Sequence, residues 1–446
     1  MGQYITLGEF NKLYQYMVYQ IIAKMILEYL IEDMLPEKTN IFSKYKFPPH
    51  LFIQEGFNYL GTFIFSIFLI KYEINHIKTN QNNSNNNTNS LDDNISKNSA
   101  SNIHYIYKDN EGKIFNINSI IIIILLFISN QLKNIFFVFS LKGLDYWVPE
   151  LLFICYLTKR MFRIPIYLHK KVSIYFILFF CSIMKLLSTI YRFIDDTKRK
   201  LYKIYYWIIP IGVIYFVLIL YLRCYCFCKI KSLLELKIIL SSKFLAVYGF
   251  LGAFICFIVS IITHNVPCVD KNDFENINYF CKVNNTINEN YTIYYYENYS
   301  LFFKKLWDNN RDILINIGFL FLFLLKISLS FIIKLYSMII IQKLNPEYFI
   351  ASNSIHFFFT GLIDLFIYLF SPNGEFKFYK FYGTLAELFK LLGYIVYLEF
   401  IELNFCGLNN NLKRNIRIRS LSETQKEFLI ENENDDSRLS NDGINE

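Results

Sequence analysis

The stretch "NSIIIIILLFISNQLKNIFFVFS" belongs to a chain in which apolar runs return again and again. A run of roughly 18 or more apolar residues, rising about 1.5 Å per residue as a helix, covers a hydrocarbon layer of about 30 Å. A soluble chain breaks such runs, because its surface elements must turn a polar face to water. Here 54% of the residues are hydrophobic and only 18% are charged, too few charges to dress a soluble surface of 446 residues. The expected fold class is all-α, a polytopic membrane protein of about ten transmembrane helices in two five-helix halves.

The ten candidate spans are 14–33, 51–71, 118–141, 147–167, 172–192, 204–227, 243–264, 312–341, 347–370 and 382–404. Lys24, Glu28 and Glu32 interrupt the first, and Asn130, Gln131 and Lys133 are expected to break the third near its middle. The opening "MGQYITLGEFNKLYQYMVYQ" lacks a basic n-region and a small-residue cleavage site, so insertion is expected to rely on the first helix. The chain then divides into two helices (1–72), an Asn-rich insertion expected to be disordered and cytosolic (73–117), and helices three to six (118–228). A charged linker with helix seven (229–264), a luminal loop (265–311), helices eight to ten (312–406) and a cytosolic tail (407–446) complete it.

Charge places the loops. With the first residues inside, Arg223, Lys229, Lys231, Lys237 and Lys243, and the "KRNIRIRS" patch, all face the cytosol, as the positive-inside tendency asks. Lys198, Arg199 and Lys200 then face outward and run against it. The outside loop holds Cys268 and Cys281, expected to form a disulfide, and acceptor triplets at Asn284, Asn290 and Asn298. An Asn-rich chain also generates such triplets by chance, as residues 82–96 show. Secretory-pathway or vacuolar membrane is the expected location.

In "KIKSLLELKIILSSKFLAVYGFLGAF", charges scattered among leucines give way to an apolar helix with two glycines. The first half is expected to lie partly in the membrane interface, its lysines meeting anionic headgroups. Ser241 or Ser242 is expected to cap the next helix, whose Gly249 and Gly252 permit close approach to a neighbour.

Ten helices in two runs of five, with this charged segment, serine turn and glycine pair after the sixth, resemble the drug/metabolite transporter superfamily, in particular the nucleotide-sugar-transporter-like solute carrier family 35. "FPPHLFIQEGFNYLGTFIF" and "LLFICYLTKRMFRIPIYLHKKVSIYFILFF" fit the second helix and the fourth-to-fifth helix turn of the same frame. The chain departs where relatives carry an acidic residue before the first glycine, having Tyr248, and in its bulky fourth helix. The resemblance implies transport of a small polar solute, including anionic ones such as a nucleotide sugar, by alternating access.

Ionisable residues within spans point to function because each costs at least about 2.5 kcal/mol at the bilayer centre when unpaired and dry. Asn130, Lys133, Lys326, His356 and Asp364 form the candidate solute site. Lys326 and Asp364 equally suit a structural ion pair, and His356 suits a packing role. Lys185 is expected to snorkel, and Glu399 and Glu402 to face the basic patch after helix ten. No phosphate loop, HExxH or GxSxG is present, and Cys224, Cys226 and Cys228 lack histidine or a second cysteine pair. No catalytic activity, cofactor or metal site is therefore expected. The expected partners are a small-molecule solute, the lipid bilayer and a second copy of the chain, with no nucleic acid. The competing reading is a non-transporting membrane scaffold or interaction protein that retains the transporter fold.

Overall fold

A computed structural model describes residues 7–27, 51–87, 117–138, 150–162, 168–181, 183–188, 190–191, 208–235, 241–266, 283–288, 291–295, 297–308, 311–370 and 378–397. These residues are almost wholly helical. In chain order they form α1 (Leu7–Ile26), α2 (Leu51–Asn87), α3 (Ile117–Val138), α4 (Glu150–Phe162) and α5 (Leu168–Phe176), which continues through a π-turn at Ile177–Cys181. There follow α6 (Ile208–Glu235), α7 (Ser241–Ile262), strands β1 (Val283–Asn288) and β2 (Tyr291–Tyr295), and the short α8 (Tyr299–Leu306). The last three are α9 (Ile313–Lys343), α10 (Pro346–Phe370) and α11 (Phe378–Tyr397).

Among the described residues four helices are long and apolar enough to cross a membrane: Phe52–Tyr72, Lys170–Ser188, Ser241–Ile262 and Ile313–Lys343. Their outer faces are apolar, with Phe68 65% exposed and Phe321 63% exposed, which suits lipid rather than water. Two expectations need correction. α3 runs unbroken through Asn130, Gln131 and Lys133, because a helix interior tolerates polar side chains that find partners on its neighbours. α2 extends to Asn87, into the insertion expected to be disordered. A helix already nucleated adds further residues at little cost. Ile230, Lys231 and Leu234 are buried. Lys231 Nζ donates to Leu344 O at 2.9 Å, so this segment braces the α9–α10 turn.

The tightest packing is α2 against α7, and glycine makes it. A Cβ on Gly249 would lie 2.6 Å from the Phe63 backbone nitrogen, and one on Gly252 would lie 2.5 Å from the Tyr59 ring. Gly56 receives the Phe257 ring in the same interface, with 2.9 Å to a hypothetical Cβ. Without a hydrophobic force between helices in lipid, backbone approach of this kind supplies the dispersion contacts that hold them. α9 lies parallel to α2: Phe57 meets Phe323, Gly61 meets Ile327 and Phe65 meets Phe331, four residues further along on each helix at every step. α8 closes the end of this layer, its Phe302 stacked on Phe57 at 5.8 Å.

A regularity runs through the contacts. Leave α8 aside and pair α1 with α6, α2 with α7, α3 with α9, α4 with α10 and α5 with α11. The packings α2–α7, α4–α10 and α5–α11 each map onto themselves under this exchange. The others map in pairs: α1–α9 onto α3–α6, α2–α9 onto α3–α7, and α4–α6 onto α1–α10. Every substantial packing between the first five helices and the last five obeys the rule. The packings within the second five, such as α10–α11, have no described counterpart of similar extent in the first.

Gly249→Ala should therefore lower the melting temperature of the detergent-purified protein by the equivalent of about 1–3 kcal/mol, since backbone atoms of Phe63 stand in the way. Gly383→Ala, whose Cβ would meet only Ser188 Oγ at 3.5 Å, should leave it unchanged or raise it.

Candidate functional site

Where α2 crosses α7, two tyrosines meet. The Gly252 gap admits the Tyr59 ring, which stands edge-on to Tyr248 with centroids 5.3 Å apart. Their hydroxyls are 3.1 Å apart and both side chains are buried. α3 adds two amides: Asn130 Nδ2 donates to the Tyr248 hydroxyl at 2.9 Å, and Gln131 Nε2 reaches the Tyr59 hydroxyl at 3.5 Å. α9 adds a cation, with Lys334 Nζ 4.0 Å from the Tyr59 ring centroid and donating to Thr62 Oγ1 at 3.2 Å. Each tyrosine oxygen carries one proton and two lone pairs, so the amides and hydroxyls form one continuous chain of donors and acceptors.

The four helices that build this cluster form a closed set under the exchange described above. α2 exchanges with α7, and Tyr59 with Tyr248. α3 exchanges with α9, so Asn130 on Tyr248 is matched by Lys334 on Tyr59. The cluster therefore sits on the seam between the two runs of five. An ammonium on an aromatic face, two hydroxyls and two amides are groups able to meet a polar solute through charge and hydrogen bonds.

Of the residues expected from sequence, Asn130 is in this cluster. Lys326 lies two turns before Lys334 on α9 and donates to Gln54 Oε1 of α2 at 2.9 Å. His356 is buried in α10, its ring 5.4 Å from that of Phe357. α10 packs on α1 and α11 and makes no substantial contact with α2. The structure thus separates His356 from Asn130. Lys133 and Asp364 lie within α3 and α10, but their side chains fall outside the described residues, as do Cys268, Cys281 and Asn290 altogether. Asn284 is in β1, paired with Tyr294 of β2. Asn298 is a capping residue: its Oδ1 accepts from Leu301 N at 3.0 Å and its Nδ2 donates to Asn265 Oδ1 at 2.9 Å. A glycan on that nitrogen would leave it a single N–H donor.

Tyr59, Thr62, Gln131, Tyr248 and Lys334 were not among the expected site residues. Tyr248 marked a departure from the resembled family, and the departure lies at the centre of the cluster. Lys334, eight residues after Lys326, carried the available signal: both lysines fall on the α2-facing side of one apolar helix.

A second polar layer ties α1 to the same frame. Gln20, fully buried, donates from Nε2 to Ser337 Oγ of α9 and accepts from Ser352 Oγ of α10, both at 2.6 Å. Lys24 bonds Asn353 one turn further on. Among the described residues no group of three or more His, Cys, Asp or Glu is placed to hold a metal.

No family model matches the chain, and no curated protein matches it by sequence.

Tyr248→Phe should cost about 1–3 kcal/mol, because it strands the Asn130 amide and one partner of the Tyr59 hydroxyl. The double variant Tyr59→Phe with Tyr248→Phe should cost less than the sum of the single changes, a coupling that denaturation of the four proteins of the cycle would read.

Proposed function

We propose that the protein is a secondary transporter or exchanger of a small polar metabolite, working by alternating access of two five-helix halves. In this reading the ten helices other than α8 belong to ten membrane spans, and five being odd, the second half is inverted relative to the first. The observation that carries the reading is the exchange rule at the seam: inverted repeats place their solute site at the interface between repeats. Here the cluster on that interface is polar, buried and contributed by both halves. Residue pairs agree with inversion, since α2 runs antiparallel to its counterpart α7, with Phe63 at Gly249 and Gly56 at Phe257. The membrane is a secretory-pathway or vacuolar one, with the loop between α7 and α9 on the luminal side.

The second reading, a membrane scaffold without transport, draws on the same geometry. The tyrosine hydroxyls satisfy each other, so the seam is closed by the protein's own groups.

The test is ligand stabilisation of the purified protein by nucleotide sugars, nucleotides, phosphorylated metabolites, amino acids and small peptides. A solute at about a hundred times its dissociation constant should stabilise by roughly 2.7 kcal/mol. Lys334→Ala and Asn130→Ala should each abolish that shift, and the same solute should then exchange across proteoliposomes containing the wild-type protein. No shift from any class, with folded protein, supports the scaffold reading.

A further inference from the structure

The short helix α8 has eight residues, too few to cross a bilayer, yet it is apolar on two sides. Phe302 and Leu306 are buried in a cluster with Ile53 of α2 and Phe323 and Ile327 of α9. At about 100° per residue, Phe303 and Trp307 come next around the helix. They are 51% and 49% exposed. Trp307 caps the helix, and its N–H still donates to Phe303 O at 2.9 Å, so the two aromatic residues follow one another one turn apart. Beyond them on the helix surface stand Ser300 and Lys304, both exposed. The apolar arc of α8 thus runs on past its protein contact and stops at a polar edge.

Its depth is set by α2 and α9. Phe302 stacks on Phe57 at 5.8 Å and stands edge-on to Phe323 at 5.8 Å. Phe57 lies five residues into the apolar span Phe52–Tyr72, about 7.5 Å from its outer end. Amphipathic helices lying along a membrane bury their apolar face about 5–10 Å into the headgroup–acyl boundary, and tryptophan is enriched at that level.

α8 is held there at both ends. Asn298 caps its start and bonds Asn265, just after α7. Asp308 O, just after its end, accepts from Asn316 Nδ2 of α9 at 2.8 Å. The exposed aromatic face is therefore fixed in position. Lysines answer differently at different depths. Lys185, expected to snorkel, is buried against Glu387 at 2.8 Å. Lys304 is exposed beside the aromatic pair, where its stem can lie along apolar surface while the ammonium meets lipid phosphate.

We propose that α8 lies along the membrane surface, with Phe303 and Trp307 sunk in the headgroup–acyl boundary of one leaflet and Lys304 turned to the lipid phosphates. The partner is the bilayer itself. The proposal needs α2 and α9 to span the bilayer and does not need the protein to transport, so it stands or falls apart from the transport reading.

The test uses the full chain in lipid vesicles with Trp147→Phe and Trp207→Phe, which leave Trp307 as the one tryptophan. A lipid nitroxide near the headgroup end of the acyl chain should quench its emission several-fold more than a nitroxide near the methyl end. Acrylamide in the water should quench it far less than it quenches free tryptophan. If the double variant folds poorly, the difference in emission between the wild-type protein and Trp307→Phe reads the same residue. Quenching by acrylamide alone overturns the proposal and puts the face in water. Strongest quenching by the deep nitroxide overturns it and puts the face in the acyl core. Protection from all three quenchers also overturns it, placing a protein surface there, either a second copy or the chain's own loop.

Discussion

The close approach of α2 and α7 is the contact on which the rest depends. Inside lipid, leucine gains nothing by leaving hydrocarbon for protein, so helices associate where their backbones can approach. Gly56, Gly249 and Gly252 provide that approach. The same missing side chains position the chemistry. With a methyl at Gly252 the Tyr59 ring would not lie flat against α7, and its hydroxyl would not reach Tyr248. Packing and site are one arrangement here, and α9, docked in parallel register on α2, brings Lys334 to it as a consequence.

The polar groups are graded by their partners. Gln20, Ser337 and Ser352 satisfy one another with neutral hydrogen bonds, and Asn298 is spent on capping α8. Those bonds suit permanent joints. Lys334 is held differently, by a ring face and a hydroxyl, with the Glu55 carboxylate near enough to act on its charge. The Lys185–Glu387–Lys390 group lies at the other extreme, charge against charge in a dry interface. The buried polar groups thus differ in what answers each of them.

Much of this was legible in the sequence and some was not, for physical reasons. Uninterrupted apolar length gave the helices, because a membrane imposes one thickness on every span. Gly249 and Gly252 were legible as a contact face, because only a close neighbour justifies two glycines in an apolar helix. Asn130 was legible as a residue with a partner to find, since an amide in lipid needs one. Tyr248 was not, because tyrosine is common in this chain and its hydroxyl acquires meaning only from what stands 3 Å away. Lys326 and Lys334 look alike in sequence. Only the pairing of α9 with α2 shows that one meets Gln54 and the other Tyr59. The partner of Lys231 was not legible for a related reason: only the fold brings the carbonyl of Leu344 to its ammonium.

The account's central claim is that two halves move against each other about the α2–α7 crossing. Pulsed electron resonance on spin-labelled protein in liposomes measures this directly. One label pair would sit at exposed Lys171 of α5 and Lys343 of α9, the other at Tyr191 and Ile313 near the opposite ends of α5 and α9. The account predicts two distance populations for each pair, with conditions that lengthen one pair shortening the other. A single distribution for both pairs, unmoved by solute, would contradict it.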